Sequence, residues 1–144
     1  MSLEANKAIE RRFFEAMNER NVAALDKILA DNVVDHSPSP GMTPDRNGLK
    51  QFFTSTYAAF PDFHSTLEDM VAEGDKVVSR FTASGTHKGE WMGIAPTGKQ
   101  FAIPGISIHR IVNGKIVDNW VSMDMLGAMQ QLGVIPLPTG KPQN

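Results

Sequence analysis

The sequence predicts an α+β fold: a curved antiparallel sheet, rolled toward a cone-shaped barrel, with N-terminal helices packed on one face. Three observations predict it. Apolar residues recur at helical spacing as far as Phe60, period-two patterning takes over from Phe63, and two turn signals, Gly74-Asp75 and Asn113-Gly114, divide the second part into hairpins. Helices followed by an antiparallel meander form layers, with the helices covering one sheet face. The 144 residues suffice for one core, so residues 1–144 read as a single domain.

Each element has its own signal. Ala5, Ile9, Phe13, Ala16 and Met17 make one stripe of a first helix. Asn21 reads as the N-cap of a short helix presenting Leu25, Ile28 and Leu29. "NVVDHSPSP" is a brief strand stopped by Pro38 and Pro40. "MTPDRNGLKQFFTSTYAAFP" is the clearest helix, bounded by Pro44 and Pro61, with Leu49, Phe52, Phe53, Thr56, Tyr57 and Phe60 on its stripe. "FHSTLEDMVAEGDKVVSRFTASGTH" and "FAIPGISIHRIVNGKIVDNWVSM" are the two hairpins. Pro104 implies an edge position or a bulge, because proline cannot donate to a ladder. A short helix from about Met125 to Leu132 and a proline-containing tail finish the chain.

Composition excludes several function classes. The net charge of -2 and scattered basic residues, densest at "ERR", lack the basic stripe of a nucleic-acid binder. No stretch approaches the ~20 apolar residues of a membrane helix, and "MSLEANKAIERR" is unlike a signal peptide, so a cytoplasmic location is expected. With no cysteine there is no thiolate nucleophile and no disulfide. No histidine pair has ligand spacing, and neither "HExxH" nor "GxGxxG" occurs, so neither a metal nor a nucleotide cofactor is expected.

The motifs "FPDF", "AEGDKVVSRFTASGTHKGEWMGIAPTGK", "HRIVNGKIVDNW" and "DMLGAMQQLG" together resemble the SnoaL-like polyketide cyclases, of the nuclear-transport-factor-2-like superfamily. The resemblance covers nearly the whole chain. It implies a conical cavity and an activity among cofactor-free cyclases, isomerases and dehydratases, with hydrolases and plain binders as relatives. The cyclases of the group use an acid/base Asp with a His and a Gln on the neighbouring strand. Aligned on "RIVNGKI", those fall here on Val121, Ser107 and Gly105, so that set is absent.

The remaining candidates come from the residues themselves. Asp124, alone among apolar neighbours, is either a helix N-cap or a pocket acid. His36 ends an apolar strand and titrates near neutrality, so it is a second candidate for proton transfer. Arg80 shares a strand face with Val78 and Thr82; if that face is covered it needs a carboxylate, with Asp62 available. Asp62, Arg80 and Asp124 would also supply a hydrolase-type network. Trp91 reads as cover for the cavity mouth, and Trp120 and Ser107 as further substrate contacts.

The hairpin register bears on all of these. A two-residue Asn113-Gly114 turn sets Ser107 opposite Trp120 and His109 opposite Asp118, whereas a three-residue loop sets Ser107 opposite Asn119 and Gly105 opposite Val121. The expected ligand is a small hydrophobic molecule bearing a carbonyl or ester. Apolar residues on both strand faces, such as Ile106 and Ile108 beside Val121 and Met123, predict a homodimer through the outer face of the sheet.

Overall fold

The computed structural model describes residues 2–137; the last part of the expected proline-containing tail lies outside the described residues. Helix α1 spans Leu3–Asn18, capped by Ser2 Oγ, which accepts from the Ala5 N–H at 3.0 Å. Its buried face includes the predicted Ile9, Phe13 and Met17, and also Glu10, which the apolar stripe does not announce. Asn21 caps a turn of 3-10 helix, Val22–Ala24, that runs into α2, Leu25–Ile28. Helix α3, Arg46–Ala59, is capped by Asp45, whose Oδ1 accepts from the Gly48 N–H at 2.9 Å. Helix α4, Met125–Gln131, follows the last strand.

Five strands form one open sheet: β1 Leu29–Asp35, β2 His64–Glu73, β3 Lys76–Thr86, β4 Gln100–Val112 and β5 Lys115–Met123. Their order is β1-β5-β4-β3-β2. The sheet is mixed rather than purely antiparallel, because β1 pairs parallel with β5. That pairing needs a long crossover, which the α3 and hairpin segments supply. The helices cover one face, and the core lies between them and the inward residues of the sheet.

The strands alternate cleanly. Along β4, Phe101, Ile103, Gly105, Ser107, His109 and Ile111 are buried, while Ala102, Pro104 and Ile106 are exposed. Pro104 is in a central strand, not at the sheet edge, and β3 and β4 pair through it without a break. Its carbonyl accepts from the Asp124 N–H at 3.2 Å, so its nitrogen faces the side where β5 has already ended. Proline is tolerated there because no ladder donor is missing, a local edge inside the sheet.

The register of β4 and β5 differs from both expected ones. Val112 pairs with Lys115 across a two-residue turn in which Asn113 has φ 51° and Gly114 φ 78°. A bulge between Arg110 and Ile111 then shifts the pairing by one, in the sense opposite to the three-residue alternative. As a result His109 lies opposite Asn119, Ser107 opposite Val121 and Gly105 opposite Met123. Val117 is the extra residue, since Ile111 pairs with Ile116 and Arg110 with Asp118. One residue of slip exchanges the faces of a strand, so this bulge decides which β5 side chains enter the interior.

Candidate active site

A cavity of about 680 Å3 lies between α1, α3, α4 and the inner face of the sheet. Its walls are mainly apolar, led by Phe13, Phe53, Phe81 and Phe101, with Met17, Met123 and Met129 filling between them. Edge-on ring contacts brace the helical side, with Phe13 at 6.0 Å from Phe53 and 5.9 Å from Phe14. Gly105 belongs to the opposite wall. A Cβ there would sit 2.5 Å from Phe81 Cζ, so the missing side chain lets that ring lie across β4.

One part of this wall is polar. Ser79 Oγ donates to Glu10 Oε2 at 2.6 Å, and Glu10 Oε1 is 2.6 Å from His109 Nδ1. His109 Nε2 is 2.6 Å from Asn119 Oδ1, and Asn119 Nδ2 donates to Asp35 Oδ1 at 2.9 Å. The row joins α1, β3, β4, β5 and β1, and each of its five members is buried. Asp35, His109 and Asn119 line the cavity.

The chemistry fixes the direction of every hydrogen bond. A carboxylate only accepts, so the Asn119 amide must donate to Asp35 and present its oxygen to His109. Both ring nitrogens of His109 then face oxygens, of Glu10 and of Asn119, an arrangement that favours the doubly protonated ring. Burial, the largest single influence, pushes the His109 pKa down, but the Glu10 charge and hydrogen bond, the Asn119 bond and the Asp35 charge together raise it above the usual value. The row therefore runs Glu10, His109, Asn119, Asp35, with a charged ring favoured at its second position.

Asp35 is held asymmetrically. Its Oδ1 also accepts from the Ser37 N–H at 3.0 Å, while Oδ2 has no hydrogen bond among the described residues. The result is a buried carboxylate with one oxygen anchored and the other free, at the wall of an apolar cavity. Two residues along β4 from His109, Ser107 Oγ is buried with no partner among the described residues.

The candidates from sequence separate into two groups. Trp91 and Ser107 line the cavity. Trp91 and Ile94 exchange backbone hydrogen bonds of 3.0 and 2.8 Å around Met92-Gly93, and the Trp91 ring meets Phe60 edge-on at 5.5 Å. The others lie elsewhere. Asp124 is exposed and its Oδ1 accepts from the Gly127 N–H at 2.9 Å, which is the capping alternative and not the pocket acid. His36 bonds Asp118 at 2.8 Å and stacks on Trp120 at 4.5 Å, and neither ring lines the cavity.

Arg80 corrects the expectation of burial. Its side chain is 58% exposed and pairs with Asp69 at 2.8 Å, because β3 turns Val78, Arg80 and Thr82 to the outer face. Asp62 instead binds the Thr86 N–H and hydroxyl, both at 2.7 Å, and these bonds hold its carboxyl below the usual range. Asp62, Arg80 and Asp124 do not converge, so the hydrolase-type network is absent.

Glu10, Asp35 and Asn119 were missed as candidates, and His109 entered only through the register question. The signals were faint: an acid beside the apolar stripe of α1, and polar residues in phase with the inward positions of β1, β4 and β5. Reading them needs the bulge, since an unbroken two-residue hairpin faces His109 with Asp118.

Residues 7–132 match the family described as SnoaL-like polyketide cyclase. The chain belongs to that family. Aklanonic acid methyl ester cyclase DauD of Streptomyces sp. (strain C5) is 32% identical, over 90% of this chain and 81% of its own. Among solved structures, TsrD from Streptomyces laurentii superposes with a TM-score of 0.85 at 30% identity, covering 94% of this chain and 99% of its own. IdmH, a putative polyketide cyclase from Streptomyces antibioticus, gives 0.79 at 32% identity, covering 89% and 98%. Within the family frame, the positions aligned with the cyclase Asp and His, Val121 and Ser107, do face each other across β4 and β5. The polar cross-strand pair of this SnoaL-like chain is the next inward one, His109 with Asn119.

Proposed function

We propose that this protein is a cofactor-free acid/base cyclase acting on a small, largely apolar ketone or ester. The observation that carries the reading is Asp35, a carboxylate with one oxygen anchored and the other open to an apolar cavity. In this reading Asp35 Oδ2 removes a proton from a carbon flanked by carbonyls, and the Ser107 hydroxyl donates to the enolate oxygen that forms. The enolate carbon bonds to a second carbonyl carbon of the same molecule. The resulting alkoxide takes the proton back from Asp35, so atoms and charge balance without an external reagent. The Glu10–His109–Asn119 row keeps Asp35 oriented.

The test uses aklanonic acid methyl ester, the compound in the names of the curated relatives, and simpler activated keto esters. Ring closure by the wild-type chain is expected, with Asp35→Asn slowing it by roughly 10²-fold or more in protein that circular dichroism shows to be folded. Full turnover by Asp35→Asn would remove Asp35 from the reaction. Binding without turnover of any keto ester would leave a non-catalytic binder.

The homodimer and the cytoplasmic location belong to the same proposal. The outer sheet face exposes Ile106 at 51% and Val71 at 65%, beside the half-buried Ile108 and Trp120, which supports pairing of two copies there. Light scattering after size exclusion checks it, and a monomer mass at micromolar concentration would reject it. Cell fractionation checks the location; recovery with membranes or outside the cell would reject a cytoplasmic site.

A further inference from the structure

The polar row leaves one charge over. Glu10 and His109 pair with each other at 2.6 Å, whereas Asp35 receives neutral donors, the Asn119 amide and the Ser37 N–H, both on Oδ1. Even with the His109 ring charged, the row sets two carboxylates against one cation. Asp35 is 6% exposed. Among the described residues, the buried side-chain atoms left without a partner belong to Asn6, Ser65, His87 and Ser107. Asp35 Oδ2 is not one of them although it too lacks a hydrogen bond, so it keeps accessible surface on the cavity that Asp35 lines.

The rest of the wall decides what such an oxygen attracts. All eight phenylalanines of the chain line this one cavity, together with Trp91. Phe13 brings the aromatic wall up to the row, meeting the His109 ring edge-on at 4.9 Å. Among the described residues no lysine or arginine lines the cavity, and its other acid outside the row, Glu90, is exposed. A buried carboxylate without a compensating cation is costly. A neutral hydroxyl would give Oδ2 a hydrogen bond and leave the charge uncompensated. An ammonium group supplies both, and aromatic ring faces attract the same cation.

We propose that this cavity binds apolar amines as cations, with the ammonium on Asp35 Oδ2 and the hydrocarbon body among the phenylalanine rings. Glu90 adds attraction for a cation where the cavity meets solvent, and repels anions there. The ligand class differs from the neutral ketone or ester of the cyclase reading, and the two would compete for one site. The proposal shares with that reading the cavity-facing carboxylate, and needs no proton transfer by it.

Phenylbutylamine, phenylbutanol and phenylbutyrate test it, one skeleton ending in a cation, a neutral hydroxyl or an anion. Calorimetry on the full chain at neutral pH should rank them in that order. The amine should bind at least about tenfold more tightly than the alcohol, the worth of a hydrogen bond to a charged group. Asp35→Asn, shown to be folded by circular dichroism, should erase that advantage. In wild type the amine should also shift the carbon resonance of the Asp35 carboxyl, a readout that needs no variant. Equal affinities of amine and alcohol, the same preference in folded Asp35→Asn, an unmoved Asp35 resonance or failure of the amine to bind would each overturn the proposal. Amine binding without keto ester turnover would keep this site and remove the cyclase reading; turnover without an amine preference would do the reverse.

Discussion

Two histidines of this protein bond side chains that are adjacent in sequence, Asp118 and Asn119, yet they lie in opposite surroundings in space. His109 meets Glu10 and Asn119 on the inner face, with side-chain exposures of 1% and 0% for the His–Glu pair. His36 meets Asp118 on the outer face, with exposures of 37% and 15%. Asp118 and Asn119 are adjacent on β5, and Asp35 and His36 are adjacent at the end of β1. A single step along each strand separates a partly solvated histidine–aspartate hydrogen bond from a buried polar row. In water the pair is screened and nearly interchangeable; in the interior each member depends on the others for its charge.

The contrast is broken most severely from the α1 side. Glu10→Leu removes the carboxylate that keeps His109 charged and that receives the Ser79 hydroxyl. A loss of about 3–5 kcal/mol is expected, as for other buried pairs broken at one partner. Asp118→Asn on the outer face, where Asp118 also bonds Arg110 at 2.7 Å, should cost less, because solvent reaches His36 and Arg110 and screens what remains of the network. Urea denaturation of the two variants measures the difference directly. Equal losses would mean that burial does not distinguish the two histidines.

A pH series sharpens the same point. The folded pKa of His109 lies above the ordinary histidine value of 6.5. Its stabilising contribution is therefore complete below pH 6.5 and is lost as pH rises through the folded value. Wild type should lose stability relative to His109→Gln between neutral and alkaline pH. Nitrogen NMR of the imidazole should show both ring nitrogens largely protonated below pH 6.5; a singly protonated ring there would refute the charged row.

Smaller effects follow at the surface. Arg80→Met should change stability by no more than about 0.5 kcal/mol, because the Arg80–Asp69 pair is solvated. Burial would have required a severe loss instead. Asp124→Asn should cost a few tenths of a kcal/mol at most, since asparagine caps a helix almost as well as aspartate. Cyclase turnover in that variant should match wild type, in contrast to Asp35→Asn. Thermal melts and the keto ester assay together check both.

The sequence by itself determined the layered fold. Helical and strand periodicities, the Asn21 cap and the Asn113-Gly114 turn are local signals, and local physics carries them into the structure. It also determined the family, through motifs spread along nearly the whole chain. Only the tertiary structure decided the parallel pairing of β1 with β5, which brings Asp35 beside Asn119. Only the tertiary structure revealed the Val117 bulge, which turns Asn119 inward toward His109 and Asp118 outward toward His36. The candidate base and its supporting row come from five separate elements, and no window of sequence contains more than a fragment of them. The physical reason is that a strand's alternation fixes which residues share a face, but not which face is buried. That choice belongs to register and packing, and here one extra residue in β5 makes it.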